Sequence, residues 1–256
     1  MTDRRGFGIA GISGRMGRML IEEIAAAGAP LSGGIDTLGG VNDATLFSDI
    51  GGLAAASEVV IDFTHASAVR SHARMIARAG TAWVLGTTGL SADDEDEVRK
   101  AAQTVAVVYA PNFSPGVNLV LALAERMAAA LPAATYDAEI VEMHHRQKVD
   151  APSGTAIGIG RAVARGRGIT LEDHMESGRT GHTGARAPGA IGFAALRGGQ
   201  VVGEHSLLFA SADEHIELTH RAFDRRVFAA GAVRAALWVR GRPAGIYSMM
   251  DVLGMT

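Results

Sequence analysis

The chain has 256 residues, of which 48% are hydrophobic and 20% charged, as in ordinary globular proteins that bury a large core. Its net charge of −3 gives no global field for nucleic acid, and the absence of cysteine excludes disulfides, thiolate metal sites and a thiol nucleophile. The first strand is expected within a few residues of the N-terminus, which leaves no room for a signal peptide. Since no apolar run approaches the ~20 residues of a membrane span, a cytoplasmic protein is expected.

The chain opens with a predicted strand, a glycine-rich loop and a helix. Phe7–Ala10 predicts a short buried strand, residues 11–17 have the pattern Gly-x-x-Gly-x-x-Gly, and helical periodicity follows over 18–24. In such a loop one glycine makes the turn, one lets a pyrophosphate approach the backbone, and one lets the helix pack on the strand. Its position at the start of a βαβ pattern favours a dinucleotide site over a turn without a ligand.

Asp36 ends the second predicted strand, 31–36, about 20 residues beyond the loop, where an acid accepts the ribose hydroxyls of NAD. The 2′-phosphate of NADP would need a cation nearby. No Lys or Arg occurs between Arg18 and Arg70, so Arg15 is the local candidate. The sequence therefore predicts that NADH is preferred over NADPH.

Strand and helix signals alternate as far as residue 115 and then change rhythm. The alternation predicts a parallel sheet with helices on both faces. Later strands follow one another with short turns, which predicts an antiparallel or mixed sheet in a second domain, so the fold class is α/β with an α+β second domain. The segment 176–190 predicts a polar loop. Further strands are predicted at 59–63, 82–85, 105–109, 137–143, 190–197, 201–209 and 214–220, and helices at 68–79, after Ser91, at 118–131 and at 228–240.

The stretch 142–155 gathers cations ahead of a predicted helix start. His144, His145, Arg146 and Lys148 lie within one loop's length after a strand, and Pro-Ser-Gly-Thr at 152–155 predicts a turn that begins a helix. Such cations are costly to hold together unless anions bind there, and a helix N-terminus adds N–H donors for a carboxylate. The cluster therefore predicts a catalytic, anion-binding strand end and not a solvated basic loop.

Taken together, these residues resemble the 4-hydroxy-tetrahydrodipicolinate reductase family, also called dihydrodipicolinate reductase, from end to end. The His-His-x-x-Lys-x-Asp-Ala-Pro-Ser-Gly-Thr string at 144–155 is highly specific to that family. Other motifs that carry the resemblance are Gly-x-x-Gly-Arg-Met-Gly-Arg at 11–18, Asp-Phe-Thr at 62–64, Gly-Thr-Thr-Gly at 86–89, Asn-Phe-Ser at 112–114 and Gly-His-Thr-Gly at 181–184.

The resemblance implies NAD(P)H-dependent reduction of 4-hydroxy-tetrahydrodipicolinate, with loss of water, in lysine and diaminopimelate biosynthesis. It implies a Rossmann-type dinucleotide-binding domain over 1–115 and 226–256, and an α+β domain over 116–225 that binds the dicarboxylate substrate and forms a homotetramer. It implies His144 as proton donor or acceptor, Lys148 as proton donor, and His145, Gly154 and Thr155 as substrate ligands. The implied cofactor contacts are Gly11, Ile12, Ser13, Gly14, Arg15, Met16, Asp36, Gly86, Thr87, Thr88, Ala110, Pro111, Asn112 and Phe113.

Two other functions remain open from the residues. One is another NAD-dependent amino-acid or imine dehydrogenase, such as an aspartate-dehydrogenase-like enzyme, and the other is a non-catalytic NAD-binding regulator on the same fold. The remaining histidines match no metal-ligand spacing, so no metal site is predicted. They are expected at the surface, at helix caps or at domain interfaces: His65, His72, His174, His182, His205, His215 and His220.

Overall fold

The computed structural model describes residues 6–36 and 44–255, which form two compact units. Unit 1 comprises Met1–Pro115 and Arg226–Thr256, and unit 2 comprises Gly116–Arg225. Each unit is built around a β-sheet of its own.

Unit 1 is built from short apolar strands and the helices that cover them. Its strands are β1 (Phe7–Ala10), β2 (Leu31–Ile35), β3 (Val59–Asp62), β4 (Ala82–Leu85), β5 (Ala106–Tyr109) and β11 (Gly245–Tyr247). Its helices are α1 (Arg15–Ala26), α2 (Ile50–Ala55), α3 (Ala66–Ala79), α4 (Ala92–Ala101), α7 (Arg226–Val239) and α8 (Met249–Leu253). The strands form one sheet in the order β11-β5-β4-β3-β1-β2, and all neighbours are parallel.

Neighbouring residues of these strands face opposite sides of the sheet, as the pleat of a strand requires. Ile61 of β3 packs in one core with Leu20 of α1 and Val233 of α7. Its neighbour Val60 packs in a second core with Ile76 of α3. Both faces are therefore covered by helices, which confirms the predicted parallel sheet with helices on both sides.

Unit 2 has a mixed sheet, which confirms the second part of the predicted fold class. Its strands are β6 (Asp137–His144), β7 (Met175–Ser177), β8 (Ile191–Arg197), β9 (Gly203–Ala210) and β10 (His215–Ala222), and its helices are α5 (Pro115–Ala130) and α6 (Gly154–Arg167). The order is β10-β9-β6-β8-β7, in which β6 pairs antiparallel with β9 and parallel with β8.

The inward face of β6 changes character along the strand. Alternate residues are buried, and Ala138 and Ile140 pack in the apolar core of unit 2. The next two buried positions are Glu142 and His144. The strand therefore carries ionisable groups from the core toward the loop that contains the predicted cation cluster.

Some elements differ from the sequence predictions. The predicted polar loop at 176–190 is wrong at its start, because β7 begins at Met175 and pairs in parallel with β8. α3 begins at Ala66, two residues before its predicted start, because the ring of His65 accepts the N–H of Ser67 and caps the helix. α2 and β11 have only six and three residues, too few to give a periodic pattern.

Candidate active site

The glycine-rich loop between β1 and α1 is held by its own backbone. The N–H groups of Gly11 and Ile12 donate to the carbonyl oxygen of Ile35, at 2.9 and 3.2 Å. Gly11 has a φ of +82°, and a Cβ on Gly17 would lie 2.3 Å from the carbonyl oxygen of Gly11. Both positions therefore require glycine, and the loop presents bare backbone at the start of α1.

The first turn of α1 has no side-chain cap, unlike the first turns of five other described helices. Gly14 precedes α1 without a side chain to cap it, and the first turn contains no acidic residue. The N–H groups and the positive end of the α1 dipole therefore suit a pyrophosphate, so this chain fits the dinucleotide that its motif predicts. α2, α3, α4, α6 and α8 instead begin after a residue whose side chain accepts a first-turn N–H: Asp49, His65, Ser91, Ser153 and Ser248.

Asp36 follows β2 directly and reaches back to the glycine loop. Its Oδ2 accepts the N–H of Ser13 at 2.8 Å. Asp36 also lines a cavity of about 420 Å³, together with Phe47 and Thr64. Pockets for small ligands have about this size, and apolar walls with a few polar groups are typical of them. Thr37, the next residue, lies outside the described residues.

The remaining predicted cofactor contacts follow β4 and β5. Because carboxyl ends of parallel strands share one edge of a sheet, both segments lie at the edge that holds the glycine loop. Thr87 donates its hydroxyl to the carbonyl oxygen of Thr64 at 3.0 Å. Ile12, Ala110 and Phe113 are buried in the core of unit 1, so they support the shape of this edge. The segments at this edge are Gly86, Thr87 and Thr88 after β4, and Ala110, Pro111, Asn112 and Phe113 after β5.

A buried acid and histidine pair at this edge is absent from the sequence predictions. Asp62, the last residue of β3, is fully buried, and its Oδ2 lies 2.7 Å from Nδ1 of His72. Its Oδ1 accepts the N–H and the hydroxyl of Thr64, at 3.0 and 2.7 Å. His72 lines the same cavity as Asp36, lies within α3 and is only 7% exposed, so it is neither at the surface nor at a helix cap, two of the three positions expected for it. The Asp-Phe-Thr motif at 62–64 was the feature of the sequence that could have indicated this pair.

His144, the last residue of β6, is held by Glu142 on the same face of the strand. Nδ1 of His144 lies 2.6 Å from Oε2 of Glu142. Arg197, in register with His144 on β8, donates to both oxygens of that carboxylate at 2.8 and 2.9 Å. Glu142 is 1% exposed and also accepts the N–H of Ser153 at 3.1 Å. The strand end therefore contains a buried Arg–Glu–His arrangement.

The protonation of this arrangement follows from burial and charge. Burial lowers the pKa of His144, Lys148 and Arg197 lower it further, and Glu142 opposes them. Burial alone would raise the pKa of Glu142, but hydrogen bonds from Arg197 and His144 outweigh it and lower that pKa. Near neutral pH the pair is therefore a carboxylate beside a neutral imidazole, which can accept a proton.

His205 belongs to the same cluster, although its isolation in the sequence predicts a surface, helix-cap or domain-interface position. It lies on β9 opposite Glu142, and its ring centroid is 5.1 Å from that of His144. Its Nε2 forms a 3.0 Å hydrogen bond with Oγ of Ser153. His205 is 4% exposed and lies within β9, so it too is neither at the surface nor at a helix cap, and burial lowers its pKa to about 4.

Lys148 lies in the loop after β6 and donates to Oδ1 of Asp150 at 2.9 Å. This hydrogen bond is the main reason that the pKa of Asp150 is lowered, so the carboxyl group of Asp150 is ionised at neutral pH. Nδ1 of His145 is buried with no hydrogen-bond partner among the described residues. The structure thus brings His144, His145 and Lys148 to one strand end.

α6 begins beside this cluster. Oγ of Ser153 accepts the N–H of Ala156 at 3.2 Å and caps the helix. A Cβ on Gly154 would meet nothing within 4 Å, so there is room for a ligand at this residue. Thr155 follows in the same turn. Since Ser153 also bonds to Glu142, the helix start and the ring of His144 belong to one network.

Metal-binding groups of three or more His, Asp or Glu side chains do not occur within residues 6–36 and 44–255. Over those same ranges, each helix is too short or too polar to cross a membrane.

Two family models together match nearly the whole chain. Dihydrodipicolinate reductase, N-terminus, matches residues 6–113, and dihydrodipicolinate reductase, C-terminus, matches residues 116–253. The 4-hydroxy-tetrahydrodipicolinate reductase of Granulibacter bethesdensis is 68% identical over an alignment of 259 positions, which covers 99% of this chain and 99% of that protein. The enzyme of the same name from Gluconacetobacter diazotrophicus is 63% identical and covers 97% of this chain and 96% of its own.

A solved structure of dipicolinate-bound dihydrodipicolinate reductase from Paenisporosarcina sp. TG-14 has the same fold. It matches with a TM-score of 0.77 at 22% identity, over 96% of this chain and 97% of that chain. The family models and the identity to the bacterial relatives go further than the fold. This chain belongs to the dihydrodipicolinate reductase family of NAD(P)H-dependent oxidoreductases.

Proposed function

We propose that this chain reduces 4-hydroxy-tetrahydrodipicolinate to tetrahydrodipicolinate with loss of water, a step of lysine and diaminopimelate biosynthesis. The observation that carries the proposal is the strand-end cluster of unit 2, where His144, Lys148 and the open space beside Gly154 at the start of α6 lie together. A dicarboxylate needs cations and N–H donors, and this cluster supplies both. The relatives from Granulibacter and Gluconacetobacter are named for this activity.

Unit 1 is the proposed dinucleotide-binding domain, and NADH is the proposed preferred cofactor. The cofactor supplies a hydride when bound. The uncapped start of α1 suits its pyrophosphate, and the carboxylate of Asp36 suits ribose hydroxyls. A 2′-phosphate beside Asp36 would meet like charge, and the sequence has no Lys or Arg between Arg18 and Arg70 to offset it.

Unit 2 is the proposed substrate domain, and different side chains of its strand-end cluster are proposed to donate and to accept protons. Loss of the 4-hydroxyl requires a proton on the leaving oxygen and removal of a proton from the adjacent ring carbon, and reduction at C4 leaves ring charge that a proton must neutralise. Lys148, an ammonium beside Asp150, is suited to donate. His144, a neutral imidazole, is suited to accept a proton and return it. Gly154, Thr155 and His145 would hold a substrate carboxylate.

A single-turnover assay with NADH and freshly generated substrate tests this function. The expected result is one equivalent of NADH consumed and tetrahydrodipicolinate formed, identified by mass spectrometry. Oxidation of L-aspartate with NAD⁺ would instead indicate an aspartate-dehydrogenase-like enzyme. Tight NADH binding without turnover of either substrate would indicate a regulator.

Unit 2 is also the proposed surface of a homotetramer, and the cytoplasm the proposed compartment. Membership of the family supports both. Light scattering on the purified protein should give four chain masses, and a monomer that remains fully active would contradict the tetramer. Fractionation of the producing cells should place the protein in the cytoplasmic fraction.

A further inference from the structure

We infer that Glu142 is a positioning residue for His144. The carboxylate of Glu142 fixes the proton of the neutral imidazole on Nδ1, so that Nε2 is the nitrogen that exchanges a proton with the substrate. This inference rests on the proposed function in one respect, that His144 is the group that exchanges the proton. Glu142 itself is buried and takes no part in the transfer.

The carboxylate of Glu142 is held in place from several sides. Arg197 binds both of its oxygens and also donates to the carbonyl oxygens of Leu196 and Asp150, so the guanidinium is itself anchored. The N–H of Ser153 donates to Oε1. The orientation of the carboxylate is therefore set before a ligand arrives.

The tautomer of His144 follows from the chemistry of its partner. An ionised carboxylate can only accept hydrogen bonds, so the 2.6 Å contact between Oε2 of Glu142 and Nδ1 requires the proton on Nδ1. In a neutral ring the lone pair then lies on Nε2. That nitrogen points toward Gly203, where a Cβ would lie 3.0 Å away, and the ring of His205 packs edge-on against the imidazole.

The charges that face His144 allow Glu142 to orient the imidazole ring without making the ring an imidazolium. They come from Glu142 on the same strand, Arg197 on β8 and Lys148 in the loop. The ring of His205 on β9 also faces His144, but its pKa of about 4 leaves it neutral near neutral pH. A lone buried carboxylate would favour an imidazolium. Burial, with smaller contributions from Lys148 and Arg197, outweighs the carboxylate here, so the pKa of His144 stays below its usual value and the ring remains a base.

Glu139 offers a matched control on the same strand. Like Glu142, it is held by arginines, with Arg179 at 2.9 and 3.1 Å and Arg186 at 2.7 Å. Glu139 does not touch His144, so Glu139→Gln removes an arginine-bound carboxylate from β6 without touching the ring.

The experiment is ¹⁵N NMR of histidine-labelled protein, with His144 assigned by comparison with His144→Gln, combined with kinetics across pH. We expect the wild-type ring in the Nδ1–H form near neutral pH, and a tautomer mixture in Glu142→Gln. We expect kcat to fall at least about 10-fold in Glu142→Gln with little change in KM, while Glu139→Gln stays within about twofold of wild type. Because the carboxylate favours the protonated ring, its loss should also move the acidic limb of kcat/KM to lower pH.

A wild-type His144 with its proton on Nε2 would overturn the inference, and so would a Glu142→Gln variant that keeps both the tautomer and kcat. If Glu142→Gln does not fold, the wild-type spectrum still decides the tautomer. Glu142→Asp keeps the charge but shortens its reach, so it should show the same mixed tautomer. Absence of reductase turnover in the wild type would contradict the proposed function instead, since the spectrum is read without turnover.

Discussion

The two candidate binding regions keep their shape in different ways. In unit 1, the glycine loop is fixed by backbone hydrogen bonds to Ile35 and by the carboxylate of Asp36. In unit 2, the strand end is fixed by buried side-chain charges, chiefly Glu142 and Arg197. A region held by close backbone contacts is disturbed when a substitution adds side-chain atoms. A region held by ion pairs is disturbed when a substitution removes a charge or when a change of pH neutralises one. The two should therefore respond to different substitutions.

The largest effect is expected from loss of a cation in unit 2. Lys148→Ala should lower kcat by roughly 10² or more, the usual scale for loss of a general acid, and should leave NADH affinity nearly unchanged. Steady-state kinetics and NADH titration measure both. Lys100 is the other lysine of the chain and pairs with Glu97 on the surface of α4, so Lys100→Ala is the matched control. Near-normal turnover of Lys148→Ala would remove this residue from the mechanism.

Added atoms should be most damaging in the glycine loop of unit 1. In Gly17→Ala the new Cβ would meet the backbone oxygens of Gly11 and Ile12 at 2.3 and 2.4 Å, so α1 must shift. We expect a loss of about 1–3 kcal/mol in the free energy of unfolding, measured by urea denaturation, and weaker NADH binding. In the control Gly158→Ala, the Cβ lies 3.4 Å from Leu121 and should be tolerated. Equal stability and NADH affinity in both variants would contradict the backbone argument.

In unit 1, the charge of Asp36 is expected to determine which cofactor is preferred. NADH should be preferred over NADPH in kcat/KM by about 5- to 150-fold, or roughly 1–3 kcal/mol, because the 2′-phosphate meets a carboxylate and lacks a cation. Thr37→Arg should narrow the gap by supplying that cation, and Thr37→Gln is a control of similar length without charge. Equal or better use of NADPH by the wild type at moderate salt would point to Arg15 or Arg18, whose Nε already contacts the loop at the carbonyl oxygen of Ser13.

The smallest effect is expected at the helix start of unit 2. Thr155→Val keeps the shape of the side chain and removes its hydroxyl, so KM should rise about 10-fold, from one charge-assisted hydrogen bond of roughly 1.5 kcal/mol. Thr155→Ser keeps the hydroxyl and should retain most of the affinity. An unchanged KM in a normally folded Thr155→Val protein would place the substrate carboxylate elsewhere.

The sequence predicted unit 1 well because buried parallel strands are continuous apolar runs that end at glycine or polar residues. The predicted strand 59–63, for example, is observed as Val59–Asp62. The glycine loop was also recognisable, but not the contact between Asp36 and Ser13, since it depends on how the loop folds back.

The network in unit 2 was less predictable. Alternation along β6 predicts a strand, but it does not show that Glu142 faces inward, because the buried face depends on partners distant in the chain. Arg197 lies 55 residues from Glu142, and His205 lies 52 residues from Ser153. A buried glutamate is stable there only because those residues meet it. Local patterns carry no information on such pairings.

Unit 1 is interrupted in the chain by the whole of unit 2, and this has a consequence for the order of folding during synthesis. Its core joins Phe113, from before the interruption, to Ala229 and Val233 of α7, from after it. The contact is close, because a Cβ on Gly231 would lie 1.8 Å from the carbonyl oxygen of Phe113. All residues of unit 2 are synthesised before α7. Unit 1 is therefore begun first and finished last, and until α7 is translated the face of its sheet that α7 shares with α1 is only partly covered.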